Sequence, residues 1–111
     1  MRFLRYLTLF LLTVTALFAA PAKQTFSGTI TDSMCDKADH SQMRMGPTDP
    51  ECAMACIDVH GAEYGLYDGK SFFTLSDQQM PAKLVGKKVK VLGALDSKTK
   101  KIQVDSITVA K

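Results

Sequence analysis

Sulfur and imidazole side chains are concentrated in one part of this 111-residue chain, between residues 34 and 60. Thiolates and imidazoles are ligands that Zn(II) accepts, and thioethers suit Cu(I). The window therefore indicates soft-metal or thiol chemistry. It contains all three cysteines, both histidines and four of the six methionines: Met34, Cys35, His40, Met43, Met45, Cys52, Met54, Cys56 and His60.

One interpretation is a site for Zn or Cu. Cys35, His40, Cys52 and Cys56 follow the spacing C-x4-H-x11-C-x3-C, which differs from that of common zinc fingers. Two ligands four residues apart on a helix can hold one ion. Additional soft ligands could come from Met34, Met43, Met45 and His60.

A second interpretation is a structural disulfide, since small exported domains use such bonds. Cys35 paired with Cys52 or Cys56 would close a loop and stabilise the fold by about 3 kcal/mol. A Cys52–Cys56 bond is disfavoured, because positions i and i+4 of one helix do not converge their Cβ vectors. One thiol is left over, and it could form an intermolecular disulfide dimer.

Thiol catalysis is the third interpretation. Cys52 lies in the first turn of a predicted helix, and His40 or His60 could serve as a base. The chain has no C-x-x-C motif, so we expect no enzymatic activity. The nearby acidic group Asp32, Asp36 and Asp39 lacks calcium-loop spacing and is interpreted as a solvated loop.

The helix that carries two of the cysteines has clear end signals. Asp49 is the predicted N-cap, Pro50 the first helical residue and Gly61 the stop. On this helix Ala53, Met54 and Ile57 form the apolar stripe expected to pack on the rest of the domain.

Strand patterns surround this segment. Residues 25–31 alternate, with Phe26, Gly28 and Ile30 on one face. Residues 63–67 and 71–75 form a hairpin that we expect to turn at Asp68-Gly69 in a type I′ geometry. Ser76 can cap a short helix that ends before Pro81. The last two strands cover residues 87–95 and 102–109, with a bend at Gly93 and a bulge near Asp105-Ser106.

This order predicts a mainly β fold, a small five-stranded OB-like barrel. It has a Cys-containing helical insertion, residues 33–61, between strands 1 and 2, and a short helix between strands 3 and 4. An open five-stranded sheet with a packed helix is the alternative.

The N-terminus resembles a secretory signal. Basic residues Arg2 and Arg5 precede an apolar run, and Ala20-Pro21-Ala22 provides a small-residue cleavage site. We expect a signal peptide at 1–22, a single domain at 23–111, a periplasmic or secreted location, and no stable membrane span after cleavage.

The segments Asp32–Cys35, His40 and Asp49–Cys56, followed by Tyr64–Tyr67, together resemble a group of small exported bacterial proteins of unassigned function. Those proteins share a Ser-Met-Cys start, a downstream His and a Cys-x3-Cys helix ahead of a small β-barrel. The resemblance implies a fold and an exported location, and it implies no activity.

The sequence therefore favours an exported, non-enzymatic β-barrel module whose Cys/His cluster binds a soft metal or is stapled by a disulfide. The alternative is an OB-type binding module for a glycan, a polyanion or a protein partner in the cell envelope. The aromatic residues that could form the binding surface of such a module are Tyr64, Tyr67, Phe72 and Phe73. We expect no nucleic acid ligand. A lysine cluster is interpreted as solvated surface: Lys83, Lys87, Lys88, Lys90, Lys98, Lys100 and Lys101.

Overall fold

The computed structural model describes residues 21–111, so the predicted signal peptide, up to residue 20, lies outside the described residues. Within 21–111 there are five strands and one α-helix, in a mainly β fold as predicted. The helix, α1, is Asp49–His60. The strands are β1 (Lys23–Asp32), β2 (Tyr64–Tyr67), β3 (Phe72–Leu75), β4 (Lys88–Asp96) and β5 (Lys101–Val109).

The five strands form one sheet whose order closes on itself, β1-β2-β3-β5-β4, with β4 pairing back onto β1. All the pairs are antiparallel except β3 with β5, which run parallel. β1 therefore contacts both β2 and β4. Its C-terminal half pairs with β2 through Asp32, opposite Tyr64, so the end of β1 is held firmly.

The core lies inside this ring of strands and comes from alternate residues. Each fully buried Val, Leu or Ile side chain stabilises the fold by roughly 1.5–3 kcal/mol. The fully buried side chains therefore contribute a large part of the hydrophobic stabilisation of the domain. The fully buried members are Ile30, Leu66, Leu75, Val89, Val91 and Ile102.

The two long C-terminal strands confirm the predicted bulge. Leu92 pairs with Ser106 and the next residue, Gly93, pairs with Val104, so Asp105 is the extra residue in β5. Gly93 is buried, and a Cβ there would overlap the carbonyl oxygen of Gln103. Only glycine permits this close approach of the two backbones.

The β2–β3 hairpin has a longer connection than the sequence predicted. Tyr67 pairs with Phe72, which leaves a four-residue loop at 68–71. Gly69 has a φ of 101°, but Asp68 is not left-handed, so the type I′ prediction was wrong. The Asp68 carboxylate instead accepts hydrogen bonds from the backbone N–H groups of Lys70 and Ser71, at 2.8 and 2.7 Å.

The short helix between β3 and β4 is a 3-10 turn, Pro81–Lys83, which begins at the proline and does not end before it. The predicted cap, Ser76, has another role. Its hydroxyl accepts a hydrogen bond from the backbone N–H of Val104 at 2.8 Å, which ties the chain after β3 to β5.

Helix α1 begins one residue earlier than its predicted cap implies. Thr48 is the N-cap: its Oγ1 accepts from the backbone N–H of Glu51 and donates to the Glu51 carboxylate at 3.1 Å. Gly61 ends the helix in the left-handed conformation with a φ of 67°, as expected. Asp49 lies in the first turn, where it forms an ion pair with Arg44.

The buried face of α1 differs from the predicted stripe. Cys52, Ala53 and Cys56 are buried, Ile57 is partly buried, and Met54 is half exposed. Two thiols and a small alanine thus allow the helix to pack closely on the domain. The prediction failed because the thiols were considered as ligands and not as apolar packing groups.

Candidate metal centre

The carboxylate of Asp32 organises the chain where β1 ends. Its Oδ1 accepts hydrogen bonds from the backbone N–H groups of Met34 and Cys35, at 2.9 and 3.1 Å. These bonds form a tight turn that brings Cys35 back beside the strand. Ser33 ties the same turn to the residue before β2, through two hydrogen bonds with the Glu63 backbone. The second carboxylate oxygen, Oδ2, remains free.

Thr31 connects this turn to the irregular segment that follows. Its hydroxyl donates to the backbone carbonyl of Cys35 at 2.7 Å and lies 3.3 Å from Nε2 of His40. A threonine hydroxyl has a single proton. Because Cys35 takes that proton, Thr31 can only accept from His40, which places the neutral imidazole's proton on Nε2.

The other ring nitrogen of His40 then carries a lone pair. Nδ1 lies 3.9 Å from Oδ2 of Asp32, and the two side chains are 1% and 0% exposed. Within residues 21–111, these two atoms are the buried side-chain polar atoms without a hydrogen-bond partner. Two buried acceptors that face each other are costly unless a proton or a metal cation lies between them.

Cys35 adds a sulfur to this pair. One ligand atom each from Asp32, Cys35 and His40 lie within 4.8 Å of one another, and all three residues are buried. Ligands at zinc distances in a tetrahedron are roughly 3.3 to 3.8 Å apart. The observed separations thus exceed those of a coordinating arrangement by at most about 1.5 Å.

The electrostatics around Cys35 favour the neutral thiol when no cation is bound. Burial, followed by the charge of Asp32 and then by the helix thiols, raises the pKa of Cys35 to about 11. The same environment that penalises a bare thiolate would stabilise a thiolate bound to a cation.

The two helix cysteines lie beside this group but outside it. Burial, followed by Asp32 and Cys52, raises the pKa of Cys56. The Cys52 thiol donates to the carbonyl of Met43 and accepts from the N–H of Met45, both at 3.3 Å. Of the four predicted ligands, the structure therefore brings Cys35 and His40 together with Asp32, and it places Cys52 and Cys56 as neighbours.

The predicted disulfide is not formed. Cys35, Cys52 and Cys56, all within the described residues, are free buried thiols. The predicted additional soft ligands, Met34, Met43, Met45 and His60, are exposed, and His60 is not part of the group of mutually close ligand atoms.

Sequence reasoning missed Asp32 and Thr31. Asp32 was interpreted as part of a solvated loop with Asp36 and Asp39; those two are exposed, but Asp32 is fully buried. The alternation of β1 could have identified Asp32 as buried, because Asp32 lies on the same strand face as Phe26, Gly28 and Ile30, and that face points toward the core. Thr31 is buried although Thr25 and Ser27 on the same strand face are exposed, since the inserted segment covers this end of β1.

The aromatic residues and lysines considered for a binding surface lie outside the group formed by Asp32, Cys35 and His40. Tyr64 is buried in the core, and Phe73 packs against Phe26 with ring centroids 6.1 Å apart. Tyr67 and Phe72 are partly buried. All seven clustered lysines are exposed, in keeping with a solvated surface.

Comparison with protein-family models, with curated proteins and with solved structures finds no match to the chain. Among the described residues, no helix is long and apolar enough to cross a membrane. The case for a function therefore rests on the site itself.

Proposed function

We propose that the protein binds a divalent transition metal ion, Zn(II) in the first place, through Asp32 Oδ2, Cys35 Sγ and His40 Nδ1. The observation that carries this proposal is the pair of buried atoms Oδ2 and Nδ1, which face each other without hydrogen-bond partners. A cation between them would satisfy both at once.

The charge of the ligand set supports a divalent ion. One carboxylate, one thiolate and one neutral imidazole bring a charge of −2, so a divalent cation gives a neutral buried centre. A monovalent ion such as Cu(I) would leave a net negative charge, which burial penalises. The mixed oxygen, nitrogen and sulfur donors also suit Zn(II) better than Cu(I), which prefers sulfur.

The contacts around His40 support a ligand and not a catalytic base. A thiol nucleophile needs one ring nitrogen for the thiol and the other for an orienting carboxylate. Here Thr31 engages Nε2, so only Nδ1 remains for both Asp32 and Cys35. A thiol with a pKa of about 11 is also a poor nucleophile at neutral pH.

The site has the supporting contacts that metal centres use. Thr31 orients His40, and two backbone N–H groups orient Asp32 through Oδ1. Such outer contacts fix a ligand's direction and raise affinity. We propose a centre with three protein ligands, to which Cys52 and Cys56 do not contribute.

The broader proposal is an exported, non-enzymatic OB-like module. The closed strand order and the inserted helix between β1 and β2 support the OB-like assignment. Export rests on the basic and apolar pattern of residues 1–22. N-terminal sequencing of the protein recovered from the cell envelope or medium tests it, with Lys23 expected as the first residue.

A zinc competition titration against a chromophoric chelator tests the metal proposal. Asp32→Asn keeps the Oδ1 acceptor but replaces Oδ2, and His40→Gln and Cys35→Ser remove the other ligand atoms. Each should weaken Zn(II) binding at least ~100-fold, because even changes to outer contacts cost 10–100-fold.

The matched controls are exposed residues of the same types, Asp36→Asn and His60→Gln, which should bind like wild type. Circular dichroism would verify that every variant is folded. A wild-type protein that binds no zinc, or an Asp32→Asn variant that binds as tightly as wild type, would reject the site.

A further inference from the structure

Two of the exposed methionines of the inserted segment make backbone hydrogen bonds to a thiol that the zinc centre does not use. Every methionine among residues 21–111 is between 37% and 50% exposed. Burying such a side chain would stabilise the fold by roughly 1.5–3 kcal/mol, so these residues are not placed as core filler. Four of the five belong to the insertion: Met34, Met43, Met45 and Met54.

Met43 and Met45 are fixed directly around Cys52. The Cys52 thiol donates to the Met43 carbonyl, and its sulfur accepts the Met45 N–H, each at 3.3 Å. The backbone of residues 43–45 therefore wraps the sulfur atom. The side chains of Met43 and Met45, two positions apart, are 43% and 38% exposed, whereas the thiol is fully buried.

We propose that Met43, Met45 and Cys52 form a second, softer metal site that takes Cu(I). Two thioethers and one thiolate provide a sulfur-only set, which selects Cu(I) over Zn(II). The charge balances here too, since one thiolate neutralises one monovalent ion. On binding, the Cys52 proton goes to solvent and its bond to the Met43 carbonyl is lost. The Met45 N–H remains as a donor to the thiolate sulfur.

This site differs from the zinc centre in ligand type, in preferred ion and in access. The zinc ligands are buried, whereas the thioethers reach solvent. The protein would thus hold two ions of different softness in one inserted segment, with the copper site at its surface.

An anaerobic Cu(I) competition titration, with ascorbate present, tests the proposal. The double variant Met43→Leu with Met45→Leu keeps side-chain volume and removes both thioethers. It should bind Cu(I) at least tenfold more weakly than wild type and bind Zn(II) unchanged. The control, Met80→Leu, lies outside the insertion at a similarly exposed position and should bind both ions like wild type.

Three results would overturn the copper site. The double variant could retain wild-type Cu(I) affinity, zinc-loaded protein could fail to bind Cu(I), or X-ray absorption could show nitrogen or oxygen bound to copper. If the double variant loses zinc binding as well, it is misfolded, and the two single Leu variants replace it. Failure of the zinc site would appear separately, in the Asp32→Asn and His40→Gln titrations.

Discussion

Zinc binding should displace one proton, that of the Cys35 thiol. The pKa of this thiol is raised to about 11 by burial and by Asp32, so it is protonated at neutral pH. Coordination requires the thiolate. Each pH unit below the pKa costs about 1.4 kcal/mol, or tenfold in affinity. Between pH 7.5 and 9.5 the apparent Zn(II) affinity should rise roughly 100-fold.

Two measurements check this expectation. Competition titrations across that pH range give the slope, and calorimetry in buffers of different ionisation enthalpy counts the protons released. The Cys35→Ser variant should bind weakly and lose the slope. A release of no proton would refute the assignment of Cys35 as a ligand. A release of two protons that falls to one in Cys56→Ser would show that Cys56 also coordinates, against the three-ligand centre; a second proton that persists in Cys56→Ser comes from the water bound to zinc.

Three further variants or conditions probe the supporting structure. Thr31→Val leaves the Cys35 carbonyl and the His40 Nε2–H without their partner, so Zn(II) affinity should fall about tenfold; Thr29→Val, on the same strand, is the control, and equal affinity in the two would contradict the orienting role. Because the pKa of Cys35 is raised in the folded protein from its ordinary 9.0 to about 11, the metal-free protein should lose about 2 kcal/mol of stability between pH 9 and 11. That loss, followed by urea unfolding, should shrink in Cys35→Ala. Gly93→Ala would overlap the Gln103 carbonyl, so it should lower the Tm by roughly 10 °C; an unchanged melting curve would refute the close approach.

The strand pattern could be predicted from the sequence because each strand has one buried and one exposed face. The period-2 alternation of β1 and the bulge in β5 both follow from that rule. The geometry of the turn at 68–71 could not be predicted from the sequence, because Asp68-Gly69 is compatible with several loop lengths. The 3-10 turn lies later in the chain than predicted, because Pro81 can begin a helical turn as well as end one.

The candidate site was predictable only in part. Cys35 and His40 were identified as candidate metal ligands by residue type. The spacing along the chain could not exclude Cys52 and Cys56 from the ligand set. Asp32 was missed because its neighbours Asp36 and Asp39 are solvated, whereas its own position depends on where β1 ends and on the segment that covers it. Contacts of this kind are set by tertiary packing, which a local pattern does not contain.

Anomalous diffraction at the zinc edge, from crystals of the zinc-loaded protein, would locate the ion itself. We expect one ion at full occupancy, bound by Asp32 Oδ2, Cys35 Sγ and His40 Nδ1 at about 2.0 to 2.3 Å. Zinc found only on exposed side chains, or a site with Asp32 and His40 still facing each other without an ion between them, would contradict this expectation.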